Sequence, residues 1–311
     1  AEYQKKKIAA FWTQLKGLTN NYFGYDNLGA ASDRPYGGTG SSYADPSLTS
    51  FMGTLTYTLL DRYTLNLTTR ADGSSMVGKD HTWGIFPSIS ATWDMKKESF
   101  LRNNKSISLL NLRTGYGRSG NLGGISSYLT LRQYIPVGLI SYNGTPTVTM
   151  GTLRNSNPDL RWETRSTFNI GTDLGLFNNR LLLTAEYYYS KTTDMLYEYD
   201  VPVPTFAFDK LLANIGSMSN SGFELGIGVV PISKKDMELN VNVNMAWQKN
   251  KLLSLNGKHN GRQMTASEIT PIGGMNGAGF HGGYNDIIYQ IVGQPLGVFY
   301  LPHCKGMVDN G

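Results

Sequence analysis

Leu239, Val241, Val243, Met245 and Trp247 share one parity in the segment 238–250, and Asn240, Asn242, Asn244, Ala246 and Gln248 take the other. Successive side chains of a strand point to opposite faces, so the segment predicts a strand with one apolar and one almost wholly amide face. Asparagine is a poor strand former, and a row of it needs a wet or hydrogen-bonded surface beside it. Two architectures supply that surface. A soluble sandwich turns the apolar row into a core and the amides to bulk water. An outer-membrane barrel turns the apolar row to lipid and the amides to a polar lumen.

The same alternation recurs along the chain. Leu55, Tyr57 and Leu59 oppose Thr54, Thr56 and Thr58; after a turn at 60–62, Tyr63, Leu65 and Leu67 oppose Thr64, Asn66 and Thr68. Over 83–94, Ile85, Ile89, Ala91 and Trp93 oppose Ser88, Ser90 and Thr92. Pro87 cannot donate to a ladder, which predicts a bulge or a strand start there. Over 106–119, Leu110, Leu112, Thr114 and Tyr116 oppose Asn111, Arg113, Gly115 and Gly117. Further strands are predicted over 168–174, 181–190, 223–229 and 287–300. Residues 1–50 are mixed: Ile8–Leu15 reads as the tail of a strand or a short helix, and the chain from Asn20 onward as a loop. The segments 120–159 and 251–285 carry no core pattern and read as long loops. So does the stretch beyond Thr193, which holds Tyr197, Tyr199, Pro202, Pro204 and Phe206.

The connections alternate in length. Those near Asp61, Lys97, Asn178 and Lys234 are short, and those beginning near Asp72, Gly120, Thr193 and Lys251 are longer. An up-and-down sheet with all its short turns at one end and all its long loops at the other is the outer-membrane pattern. Greek-key crossings give a sandwich no cause to sort them so. The reading is therefore all-β, an antiparallel up-and-down transmembrane β-barrel segment. Trp93, Tyr116, Tyr187, Tyr189 and Trp247 fall near strand ends, where an interfacial girdle sits.

Composition agrees. Charged residues are only 16% of 311, against a usual ~25%, and Gly, Asn, Ser, Thr and Tyr fill the deficit. The net charge of +5 is mild, and Lys5-Lys6-Lys7 is the one basic block, so nucleic acid is not an expected partner. A single cysteine, Cys304, excludes an internal disulfide framework. No apolar run reaches the ~18 residues of a membrane-crossing helix, but barrel strands need only about 9–11. Nothing at Ala1 resembles a signal peptide.

Catalytic and metal chemistry find little footing. Gly277-Ala278-Gly279-Phe280-His281-Gly282 matches G-x-G-x-x-G, but without the flanking strand and helix that a nucleotide site needs. His81, His259, His281 and His303 are scattered, and none pairs at ligand spacing. Asp159 and Glu163 straddle Trp162, and Glu198 and Asp200 straddle Tyr199; both pairs read as solvated loop acids rather than glycosidase carboxylates. No catalytic residue, metal site or cofactor is expected. The loop aromatics Tyr128, Tyr142, Tyr197, Tyr199, Phe206, Phe280 and Tyr284 are the candidate ligand or lid contacts.

Several segments carry a family resemblance. Arg70-Ala71-Asp72-Gly73-Ser74-Ser75, followed by Trp83-Gly84-Ile85-Phe86-Pro87-Ser88-Ile89-Ser90-Ala91-Thr92-Trp93, resembles a paired signature of the SusC/RagA family of TonB-dependent outer-membrane transporters. The run 110–121, with Arg113, Gly120 and Asn121, is similar to a second family motif, and Asn157-Pro158-Asp159-Leu160-Arg161-Trp162-Glu163-Thr164 to a third. Asn214-Ile215-Gly216 with 220–225, and 292–300, resemble two more. The family often has Arg where Thr54 and Met76 stand here.

The resemblance implies that residues 1–311 are a later-middle part of the barrel, about nine strands of roughly 22, with no plug domain in this stretch. It implies uptake of a large nutrient, an oligosaccharide or a peptide, beneath a SusD-like surface lipoprotein, driven by TonB through the plug. This portion would supply wall, lumen lining and extracellular loops in contact with outer-membrane lipid. Arg70, Asp72, Gly73, Trp83, Pro87, Arg113, Gly120, Asn121, Trp162 and Glu163 would be structural members of the motifs. A soluble or cell-surface all-β binding protein, such as an adhesin, is the alternative.

Overall fold

The computed structural model describes residues 1–18, 22, 26–35, 38–259, 262–265, 267, 269–274 and 286–301. The strands in chain order are β1 (Glu2–Lys5), β2 (Ile8–Thr13), β3 (Thr39–Ala44), β4 (Ser47–Leu59), β5 (Tyr63–Ser74), β6 (Trp83–Asp94) and β7 (Ile107–Asn121). They continue as β8 (Tyr134–Tyr142), β9 (Thr145–Thr152), β10 (Glu163–Leu176), β11 (Leu181–Asp200), β12 (Lys210–Lys234) and β13 (Met237–Ser254). Nine of them form one antiparallel sheet in the order β1-β4-β5-β6-β7-β10-β11-β12-β13. From β4 onward each strand follows its neighbour in sequence, save for the β8–β9 hairpin inserted between β7 and β10. That is the up-and-down order.

The alternation of the sequence is carried across the register. Tyr57, Leu65, Ala91, Thr114, Ile170, Tyr187, Phe223 and Trp247 lie opposite one another in turn from β4 to β13. On this outward face Tyr63 stacks on Trp93 and Phe223 on Trp247, each pair with ring centroids 6.1 Å apart. Among the described residues no second layer covers it. Val243 at mid-strand keeps 44% of its surface open, and Trp247 keeps 56%. A sandwich would bury these positions. The outward stretch Leu239–Trp247 runs about 27 Å along the strand at ~3.4 Å per residue. At a ~40° tilt that is roughly 20 Å, close to the ~25 Å apolar band of a membrane barrel.

Several expectations are corrected. The predicted strand 287–300 does not join the main sheet: Asp286–Ile291 is the middle strand of a sheet of three, between Ile269–Gly274 and Val298–Phe299. The ninth strand is instead β1, at the opposite edge of the sheet, whose four residues pair with Ser47–Ser50. Ile8–Leu15 resolves into the strand β2, paired with β3. The long segment 120–159 contains the β8–β9 hairpin, and 251–285 contains a further hairpin, Asn256–His259 with Arg262–Thr265. Pro87 makes neither a bulge nor a strand start. It pairs with Thr69 inside the β5–β6 ladder, whereas the β6–β7 ladder begins only at Ser88, so the missing N–H falls where the second ladder ends.

The length rule fails at one connection. Residues 95–106 outnumber the connections 75–82 and 201–209 at the opposite end. The segment is nevertheless folded tightly. Lys96 Nζ donates to the carbonyls of Leu101 at 3.0 Å and Asn104 at 2.6 Å, and Lys97 Nζ to that of Asp61 at 2.6 Å. Glu98, buried, accepts from Tyr63 Oη at 2.5 Å, Trp93 Nε1 at 3.0 Å and Arg62 Nη1 at 2.7 Å. The hydrogen bond from Tyr63, then that from Trp93 and the Arg62 charge, hold the Glu98 carboxyl below its ordinary value. A depressed carboxyl contributes stability above its unfolded pKa of ~4.3 and loses it as pH falls through the folded value. Protection of 95–106 against hydrogen exchange, taken relative to the unfolded chain at the same pH, is therefore expected to hold from pH 7 to about 5 and to fall below that. In Glu98→Gln the protection of the segment should be low and should no longer depend on pH in this range.

Candidate functional site

The inward face is polar and paved with small residues. Thr54 and Thr68 share a hydrogen bond at 3.2 Å, Thr56 Oγ1 donates to Asn66 Oδ1 at 2.8 Å, and Thr58 meets Thr64 at 3.3 Å. Across the following strands the same face presents Ser88, Ser90, Gly115, Gly117, Asn169, Gly222 and Gln248. All of these but Gly222 line, together with Arg165, Glu186 and Glu224, a hollow of about 650 Å³. Arg113, Asp173 and Glu186 share inward parity on β7, β10 and β11. Arg113 Nε donates to Asp173 Oδ2 at 2.8 Å, and Arg113 Nη1 lies 3.4 Å from Glu186 Oε2. Asn169 Nδ2 donates to Glu186 Oε1 at 3.1 Å and Thr184 Oγ1 to Asp173 Oδ1 at 3.2 Å. Glu224 stands opposite Glu186 in the register, so the acids Asp173, Glu186 and Glu224 share this face with Arg113 and Arg165. This is a hydrated wall with a bound-up charge network.

At the long-loop end the strands carry a packed collar. Val77, Ile125, Leu129 and Leu160 form its core, flanked by Met76, Leu122, Trp162, Leu196 and Leu212. Asparagines hold the segment 155–162 against the extensions of β11 and β12. Asn157 Nδ2 donates to the Leu212 carbonyl at 2.8 Å, and Asn214 Nδ2 to those of Arg161 at 2.8 Å and Asp194 at 2.9 Å. Asn155 closes the loop 201–209 through Phe208 and Lys210. Gly78 donates to the Leu160 carbonyl at 2.7 Å, and a Cβ on it would overlap the Pro158 carbonyl oxygen.

The motif residues fall into place around this collar. Arg70 Nε donates to both carboxylate oxygens of buried Asp72 at 2.8 Å, and Arg70 Nη2 to Ser50 Oγ at 3.0 Å. Trp83 lies flat on Gly73 and stacks on Phe51 at 6.0 Å, an arrangement that a Cβ at residue 73 would obstruct. Phe86 lies over Gly84 and Gly120 and meets Trp162 edge-on at 5.4 Å. Trp162 Nε1 donates to the Thr82 carbonyl at 3.3 Å, and Asn121 Nδ2 to Glu163 Oε1 at 3.3 Å.

Residues 3–293 match the family model "TonB dependent receptor-like, beta-barrel". The chain belongs to the TonB-dependent receptor β-barrel family. Relatives include the TonB-dependent receptor P26 of Formosa agariphila, 33% identical over 83% of this chain and 26% of that protein. Another is the TonB-dependent receptor SusC of Bacteroides thetaiotaomicron, 36% identical over 68% of the chain and 21% of that protein. The chain thus spans about a quarter of the length of these relatives. A solved structure of the RagAB peptide transporter shares the fold, with a TM-score of 0.75 at 21% identity over 96% of this chain and 30% of that one. The family assignment agrees with the uncovered apolar band in turning away from a soluble sandwich.

Among the aromatic contact candidates, the structure separates presenters from packers. Tyr142 stands 65% exposed at the tip of the β8–β9 hairpin. Tyr128 is half-buried and donates to Asp45 Oδ1 at 3.0 Å; Asp45, also paired with Lys5 at 3.0 Å, is held below its ordinary pKa by Lys5 first and Tyr128 second. Tyr197 and Tyr199 lie not on a loop but on β11, which runs on to Asp200, and their rings meet edge-on at 5.0 Å. Tyr199 is 1% exposed and its hydroxyl donates to the Leu255 carbonyl at 2.9 Å, so it packs rather than presents. Phe206 is half-buried in the loop 201–209. Phe280 and Tyr284, like the G-x-G-x-x-G segment, His281, His303 and Cys304, lie outside the described residues. Among the described residues no three His, Cys, Asp or Glu are placed to hold a metal ion. The inward network of Arg113, Asp173 and Glu186 was open to sequence reading through shared parity alone.

Proposed function

We propose that the chain is wall, lumen lining and extracellular loops of an outer-membrane transporter that imports a large nutrient, an oligosaccharide or a peptide, in a TonB-dependent way. The carrying observation is the pairing of an uncovered apolar band with a continuous, charge-networked polar face on strands that match the family over 3–293. A surface can face lipid on one side and a hydrated path on the other only if it is barrel wall. Cargo of oligosaccharide or peptide class is supported by the resemblance to SusC/RagA transporters and by the relatives named SusC and RagAB. The companion is proposed to be a SusD-like lipoprotein seated over the long-loop end. There Tyr142, Tyr197 and Phe206, with Phe280 and Tyr284, are the proposed contacts. No step of bond chemistry belongs to this reading.

Deletion of the full-length gene tests it. Growth on one or a few members of a panel of oligosaccharides and peptides should fail, and uptake of the same compounds by the parent should stop when a protonophore collapses the proton gradient. Unchanged growth on every compound, or uptake indifferent to the protonophore, would overturn the proposal.

A further inference from the structure

On each of β7, β11 and β13 the last outward aromatic is followed, two residues on, by a cation: Tyr116 by Arg118, Tyr189 by Lys191, and Trp247 by Lys249 and then Lys251. The register places these in two adjacent rows. Arg118, Ser166, Lys191, Ser219 and Lys251 lie opposite one another in turn, and Lys249 lies opposite Ser221 beside Tyr189. On the intervening strands the outward positions at this level are serines, small enough to leave the cations accessible. All four cations are exposed, and none makes an ion pair among the described residues. Among the described residues no carboxylate occupies an outward position beside them. With ~4.8 Å between strands, Arg118, Lys191 and Lys251 stand about 10 Å apart.

Aromatics at a membrane boundary mark the level of the headgroups. A cation one outward position farther along stands among the headgroups themselves, where a free charge of one sign selects anions. These cations belong to the long-loop end, which faces outward in a membrane barrel. We infer that Arg118, Lys191, Lys249 and Lys251 form a lipid-docking row that binds the phosphates of an outer-leaflet glycolipid. The inference goes beyond transport and rests only on the outer-membrane reading.

The test uses the full-length transporter in detergent, titrated with bisphosphorylated lipid A, monophosphorylated lipid A and phosphatidylethanolamine, with retention read by native mass spectrometry. The parent should bind the bisphosphorylated lipid at least tenfold more tightly than phosphatidylethanolamine, with the monophosphorylated form between. The combined variant Arg118→Gln, Lys191→Gln, Lys249→Gln, Lys251→Gln should lose tenfold or more on lipid A and nothing on phosphatidylethanolamine. All four side chains are exposed, so the fold should persist, checked as heat-modifiable migration. A folded variant that keeps the parent's lipid A affinity, or a parent without preference for lipid A, sinks the docking row alone. A parent soluble without detergent would instead sink the membrane reading.

Discussion

Val243→Arg is expected to cost about 2–4 kcal/mol, the price of a cation near the middle of a lipid-facing band. Asn244→Arg, one residue on, should cost little, because its side chain enters the hydrated interior beside Thr184 and Glu224. The two substitutions share a strand, a depth and a new side chain, and differ only in the face they occupy. Urea unfolding of the full-length transporter in lipid vesicles would show the difference as a lower midpoint for the first variant only. Equal tolerance of both would mean that the apolar face of β13 does not meet hydrocarbon. Equal damage from both would mean that the amide face is packed dry against something.

Leu160→Ala should cost about 2–5 kcal/mol of local stability. Leu160 is 0% exposed and sits among Val77, Ile125 and Leu129 at the centre of the collar. Its removal leaves a cavity that surrounding segments, pinned by Asn157, Asn214 and the Gly78 hydrogen bond, are poorly able to fill. The collar lies beyond the apolar band, so its loosening should not unfold the barrel. Trypsin should therefore cut at Arg132 and Arg154 at least tenfold faster in the variant, while heat-modifiable migration of the whole protein is unchanged. Loss of the folded band together with the loop would show that collar and wall unfold as one unit. That would overturn the separation drawn between them.

Parity made most of the wall legible in advance. A strand with one apolar face writes itself into the chain as a period of two, and every strand of that kind from β4 to β13 is found near its expected place. The four residues of β1 were not legible, because Glu2–Lys5 is too short and polar to show a period. The β8–β9 hairpin is not legible for a related reason: its exposed residues include Val137, Leu139 and Ile140 on both faces, without the clean opposition that a half-buried strand shows. Tyr199 was misplaced because its surroundings, with Glu198 and Asp200, look like a solvated loop. Its burial depends on Leu255, far along the chain. The motif residues stand in the sequence only as a pattern, and their purpose is visible only in contact: Gly73 as the floor under Trp83, Gly120 as the floor under Phe86.

The cations above the girdle also bear on how the wall assembles. Slipping β11 by two residues along β10 would preserve the alternation of faces and nearly all its backbone hydrogen bonds, so pairing alone discriminates weakly against it. Such a slip toward the short turns would draw Lys191 down to the level now held by Tyr189, and the same error in β13 would draw Lys249 to the level of Trp247. At that level the cation still stands at the membrane boundary, so a slip of one step is opposed weakly, and each further step carries the charge into hydrocarbon at rising cost. The pairs Tyr189 and Lys191, and Trp247 and Lys249, thus set a depth beyond which a slipped strand costs progressively more in a lipid-facing wall.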